Sequence, residues 1–137
     1  MNQPAQTGKH PKGLYVLFFT EMWERFGYYL MVGILFLFMT NSSGKGLPKA
    51  MGADVVGTFI ALVYLTPFIG GLLADRYLGY IKSIFIGGAL MAAGYLTIAL
   101  PGEYTAYIAM GLIIVGNGFF KPNISTLLGN MYNREDL

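Results

Sequence analysis

The sequence contains no cysteine. That absence excludes a disulfide framework, a thiol nucleophile and a thiolate metal site. Charge is scarce as well: Asp, Glu, Lys and Arg together make up 12% of 137 residues, and the net charge is only +2. The basic residues form no run, so nucleic acid is not an expected partner. The single histidine, His10, lies in the polar N-terminal tail, and the sequence holds neither an H-E-x-x-H pair nor a Walker-type phosphate loop. Enzymatic chemistry, a metal site and a cofactor are therefore not expected. Nor is a cleavable signal peptide, because the first apolar run is broken by charge after seven residues (Leu14 to Thr20) and no small-residue cleavage site follows.

What fills the chain instead is apolar. Hydrophobic residues make up 55% of it, including ten Phe, ten Tyr and eight Met, and the mean hydropathy is positive. Such values point to a protein that crosses a membrane several times. Four apolar segments of spanning length follow one another, about 14–39, 55–74, 79–100 and 104–131, after a tail of residues 1–13. NSSGKGLPKAMG reads as a turn-rich loop, DRYLGYIK as a very tight charged one and PGEY as a short turn. Glycines recur inside the spans, at Gly70, Gly71, Gly87, Gly88, Gly94, Gly116 and Gly118, where small residues let helices approach closely. Lys9, Lys12, Arg76, Lys82 and Arg134 fall on one side of the membrane and only Lys45 and Lys49 on the other, which predicts a cytoplasmic N-terminus. Asn41-Ser42-Ser43, on the outer side, matches a common glycosylation pattern.

The first segment carries an anomaly, TEMWERFGYY, with Glu21, Glu24 and Arg25 deep in apolar sequence. Helical spacing puts Glu21, Glu24, Arg25, Tyr28 and Val32 along one face. A lone charge at the centre of a spanning helix costs about 2.5–3.5 kcal/mol, so this face is expected to look into the protein. Arg25 can pair with Glu21 at i,i+4, which leaves Glu24 short of a cation. The fourth segment supplies one. In GNGFFKPNISTL, Lys121 is the only charge between Tyr104 and Met131, and Pro122 beside it predicts a kink. Counted from the cytoplasmic ends, both sets of charges lie ~10–16 Å deep. Two carboxylates and two cations then sum to zero, a condition under which buried charge is tolerated. Desolvation favours a protonated carboxylate and a nearby cation an ionised one, so such a group takes or loses a proton as its partner moves. A purely structural ion-pair cluster joining the first and fourth helices is the alternative.

The string Glu21-x-x-Glu24-Arg25-Phe26-x-Tyr28-Tyr29 resembles the ExxERFxYY motif of the proton-dependent oligopeptide transporters, a branch of the major facilitator superfamily. ALVYLTPFIGG with Tyr64, LADRYLG with Asp75 and Arg76, and GNGFFKPN with Lys121 resemble that family in the same order, over Gly13 to Tyr132. The resemblance implies an all-α integral membrane fold, in which residues 14–137 form four transmembrane helices of the N-terminal six-helix bundle. It implies proton-coupled symport of di- and tripeptides by alternating access, with this chain supplying only the N-terminal part. Glu21, Glu24, Arg25 and Lys121 would couple protons, Lys121 exchanging salt-bridge partners with the acidic cluster. Arg25, Tyr28, Tyr29, Tyr64 and Lys121 would bind substrate, and Asp75 and Arg76 would gate the cytoplasmic side. The implied partners are small peptides, protons, the lipid bilayer and the remaining helices, in a multi-pass protein of a bacterial cell membrane. Val32 departs from the basic residue that many bacterial members carry there. Plant relatives that carry nitrate tend to have lost the acidic cluster, which is intact here. A non-transporting assembly subunit or a channel-like helical protein is the rival reading.

Overall fold

The computed structural model describes residues 10–135, with side chains through Tyr132. Lys9 lies outside the described residues, as does the side chain of Arg134. Four helices follow in order: α1 (Lys12–Thr40), α2 (Lys49–Leu73), α3 (Tyr80–Ile98) and α4 (Thr105–Glu135). A π-helical turn, Ala74–Leu78, continues α2.

The helix boundaries depart from the apolar runs by one to six residues, and two of the departures, both at α2, bear on the site. Helix α2 starts at Lys49, straight after Pro48, rather than at Val55. Lys49, Ala50, Met51 and Ala53 favour helix, so the helix extends past the stretch that apolarity marks. The second difference is DRYLG, which is not a loop. The chain stays helical through Leu78 by widening to a π turn, and the Gly79 N–H donates to the Ala74 carbonyl at 2.7 Å. Gly79 then breaks the helix at φ +78°, a conformation that costs glycine little.

Helices α1, α2 with its π turn, and α3 are long and apolar enough to cross a membrane. Helix α4 is the longest, at 31 residues, but its apolar course is interrupted by Asn117, Lys121, Pro122 and Asn123. Both asparagines are buried against the other helices and so are kept from lipid.

Helix α4 packs along α3 and α2, and glycine sets the spacing. A Cβ on Gly70 of α2 would lie 2.0 Å from the Gly118 carbonyl oxygen of α4, and one on Gly87 of α3 would lie 2.6 Å from the Gly116 oxygen. Backbones therefore touch where only hydrogen is present, the contact on which helix association in lipid relies. Contacts pair Gly94 with Ile113 and Gly87 with Phe120, so α3 and α4 run antiparallel. Gly70 meets Gly118 and Gly71 meets Pro122, consistent with parallel α2 and α4.

Helix α1 closes the bundle through two apolar clusters. Tyr28, Met31, Leu35 and Met39 pack with Phe59 and Val63 of α2 and with Ala106, Met110 and Ile113 of α4. Leu17 packs with Met91, Phe120 and Ile124 at the other end. There the Tyr132 hydroxyl and His10 Nδ1 lie 2.9 Å apart. Lys45 Nζ donates to the Gly102 carbonyl at 3.1 Å and to the Glu103 carbonyl, tying the α1–α2 loop to the α3–α4 loop. Glu21, Glu24 and Arg25 fall between the two clusters.

Candidate functional site

Helix α1 turns its residues 17, 28, 31 and 35 inward, and Glu24 lies on the same line, spaced seven and four from its neighbours. Its side chain is only 6% exposed, and Arg25, at 24%, holds it with Nε 3.3 Å from Glu24 Oε2. Glu21 is exposed, and among the described residues it makes no ion pair. The expected Glu21–Arg25 pair is thus replaced by Glu24–Arg25. Burial explains the exchange: the carboxylate that has lost water gains most from a cation.

Lys121 faces this cluster from α4, and together with Arg25 and Glu21 it is a charge whose field acts on Glu24. Its contact is not a carboxylate. The ammonium lies 5.2 Å from the centroid of the Tyr64 ring on α2, within cation–π reach, and no described carboxylate lies within ion-pair distance. The expected balance of two acids and two bases therefore consists of one ion pair, one cation over an aromatic face and one exposed carboxylate.

The three tyrosines of the sequence motifs gather here in unequal roles. Tyr28 is buried and its ring stacks on Phe59 at 6.3 Å, so it is part of the core. Tyr29 and Tyr64 are exposed, at 61% and 54%. Tyr28 also meets Tyr29 edge to face at 5.4 Å, and its stacking on Phe59 joins helices α1 and α2 at this level. Val32 is half-buried and packs against the apolar cluster, giving no ionic grip at that turn.

Asp75 and Arg76 stand apart, exposed in the π turn. Asp75 caps neither helix, and among the described residues it forms no pair with Arg76, whose guanidinium lies 5.9 Å from the Tyr77 ring centroid.

Two residues join the site that motif spacing did not mark. Asn117 is buried one turn before Lys121, and its Nδ2 donates to the Val63 carbonyl at 3.1 Å. Pro67 lacks the N–H that would reach Val63, so the asparagine of α4 satisfies a carbonyl that a proline of α2 left free. The proline four residues after Val63 was the available signal. Tyr95 of α3 is the other: its ring lies against Gly27 of α1, where a Cβ would be 3.4 Å from the hydroxyl oxygen. Nothing in its local sequence marks it. An apolar hollow of about 320 Å³ between α1 and α3, lined by Gly27, Leu30, Met31, Ile34, Tyr95 and Ile98 among others, adjoins Tyr95 but is lined by none of the charges.

Residues 81–137 match the family model described as PTR2, POT family. The chain is 44% identical over 131 residues to an uncharacterized transporter, YclF, of Bacillus subtilis, covering 93% of this chain and 27% of that protein. It is 44% identical over 132 residues to a di-/tripeptide transporter of Lactococcus lactis subsp. lactis, covering 92% and 27%. A crystal structure of peptide transporter POT in complex with sulfate superposes with a TM-score of 0.87 at 43% identity, over 96% of this chain and 27% of that one. The chain thus spans about a quarter of the length of the relatives it matches.

Proposed function

We propose that the chain belongs to the POT family, whose model its residues 81–137 match, and that its helices are the N-terminal part of a transporter that carries di- and tripeptides across the cell membrane with protons. The family is one of transporters rather than enzymes, and no cofactor beyond the proton is invoked. The observation that carries the proposal is Glu24, a buried carboxylate whose cation partner, Arg25, is itself partly open to the unpacked face of α1. Relatives named for di- and tripeptides supply the substrate class.

Facilitator-type transporters bind substrate between two helical halves near the midplane. Here Arg25 and Lys121 attract the peptide carboxylate, while the exposed rings of Tyr29 and Tyr64 bond amides through their hydroxyls and tolerate varied side chains. An arriving carboxylate competes with Glu24 for Arg25, and Glu24 then takes a proton. Lys121, resting over Tyr64, is free to swing to Glu21 or Glu24 when substrate leaves. With Val32 in the apolar cluster, the carboxylate depends on Arg25 and Lys121 alone at this turn. The distribution of Lys12, Arg76 and Lys82 against Lys45 and Lys49 supports a cytoplasmic N-terminus, which puts Asp75 and Arg76 at the cytoplasmic gate.

The test is uptake of labelled dialanine into proteoliposomes by the full-length protein under an imposed pH gradient. Glu24→Gln keeps hydrogen-bonding shape but cannot ionise, so it should abolish accumulation while leaving some downhill exchange. Accumulation by Glu24→Gln at the wild-type level would remove Glu24 from proton coupling.

A further inference from the structure

The Tyr95 hydroxyl is buried and has no hydrogen-bond partner among the described residues. Phenylalanine would fill the same space without that penalty, since a buried donor left unmade is costly whereas its removal is close to neutral. A hydroxyl kept under these conditions calls for a partner in another state. The ionisable groups whose fields reach Tyr95 are Glu24 and Tyr28 of α1. Gly27, one turn from Glu24, lets the ring lie against the α1 backbone, with the hydroxyl oxygen 3.4 Å from where a Cβ would sit. Glu24 meanwhile makes its one ion pair among the described residues with Arg25, whose side chain is more open than its own.

We propose that Tyr95 is a positioning residue for Glu24: when Arg25 leaves the carboxylate for substrate, the Tyr95 hydroxyl donates to it and holds it in place for proton transfer. The proposal rests on the transport reading above. The charged and titratable groups around the pair are Glu21, Arg25 and Tyr28 on α1 and Lys121 on α4; α3 contributes Tyr95 itself. Lys121 rests on Tyr64, and the Tyr95 hydroxyl is a fully buried donor without a partner among the described residues. A hydroxyl donating to a carboxylate favours the ionised form, so losing it lets the carboxylate keep its proton to higher pH.

The experiment compares wild type and Tyr95→Phe in the full-length protein, measuring the pH profile of gradient-driven dialanine uptake and thermal unfolding. The expected result is a profile moved to higher pH by about one unit, the size of a charge-assisted hydrogen bond, in a variant that melts no lower than wild type. A purely structural hydroxyl would lower the melting temperature and leave the profile in place, and that outcome overturns the proposal. So does a variant that does not fold. An unchanged profile in a wild type that does accumulate peptide removes Tyr95 alone; a wild type without accumulation removes the transport reading and Tyr95 with it.

Discussion

Replacing Asn117 with alanine strips the donor from the Val63 carbonyl, which Pro67 has already deprived of its helical partner. Both groups are buried between α2 and α4, away from water and lipid headgroups alike. An unsatisfied buried carbonyl costs about 1–3 kcal/mol. Asn117 Oδ1 has no partner among the described residues, so removing it returns part of that amount. The expected net loss is therefore about 1 kcal/mol, within the ~0.6–1.7 kcal/mol measured for interhelical hydrogen bonds in membranes. Pro67→Ala supplies the missing N–H, after which Val63 is satisfied within α2 and Asn117→Ala should cost far less. A double-mutant cycle on the full-length protein, read by reversible unfolding in mixed micelles, should show a coupling of about 1 kcal/mol. Additivity within about 0.3–0.5 kcal/mol would mean that Pro67 and Asn117 do not share a carbonyl. The pair matters for function because Val63 adjoins Tyr64 and Asn117 lies one turn from Lys121. Loosening the first contact loosens the cation over its ring.

Lys121→Ala should abolish gradient-driven uptake, because it removes a cation acting on Glu24, and Lys121→Arg should restore melting temperature more than transport, since a planar fork cannot replace a compact, mobile ammonium. Wild-type uptake rates in a well-folded Lys121→Ala variant would contradict this. Gly70→Ala drives a methyl group to within 2.0 Å of the Gly118 oxygen and should lower stability by about 1–3 kcal/mol, whereas Gly57→Ala meets no described atom within 4 Å and should be neutral or gain up to about 1 kcal/mol. Equal unfolding midpoints for the two glycine variants would argue against the close α2–α4 approach.

The helices themselves were readable because apolar runs of spanning length leave the backbone no other solution in lipid. Their ends were less so. Apolarity marks the stretch that meets hydrocarbon, whereas α2 begins at Lys49 with residues that favour helix without being oily. Asp75-Arg76-Tyr77 has the composition of a loop, and only the bond from Gly79 back to Ala74 shows that the helix had not yet ended.

The same division runs through the site, and it follows the sizes of the energies. Exposing one charge to hydrocarbon costs about 2.5–3.5 kcal/mol, so the inward direction of Glu24 could be read from spacing, whereas Glu21, assigned to the same face, is exposed in this bundle. Choosing between Glu21 and Glu24 as the partner of Arg25 is a matter of a few tenths, the worth of an i,i+4 pair. A difference that small is overruled by whichever carboxylate the neighbouring helices happen to cover, and they cover Glu24. Lys121 illustrates the limit from the other side: its depth follows from the rise per residue, but its resting contact depends on the rotation of α2, which turns Tyr64 rather than a carboxylate beneath it. Tyr95 and Asn117 belong wholly to this second class. Each is an ordinary polar residue in its own helix and acquires its place in the site only through the packing of another, Asn117 through Pro67 and Tyr95 through Gly27. On the proposed transport reading, proton coupling needs partners that exchange at small cost, so the contacts that reading relies on most are the ones least legible in the chain.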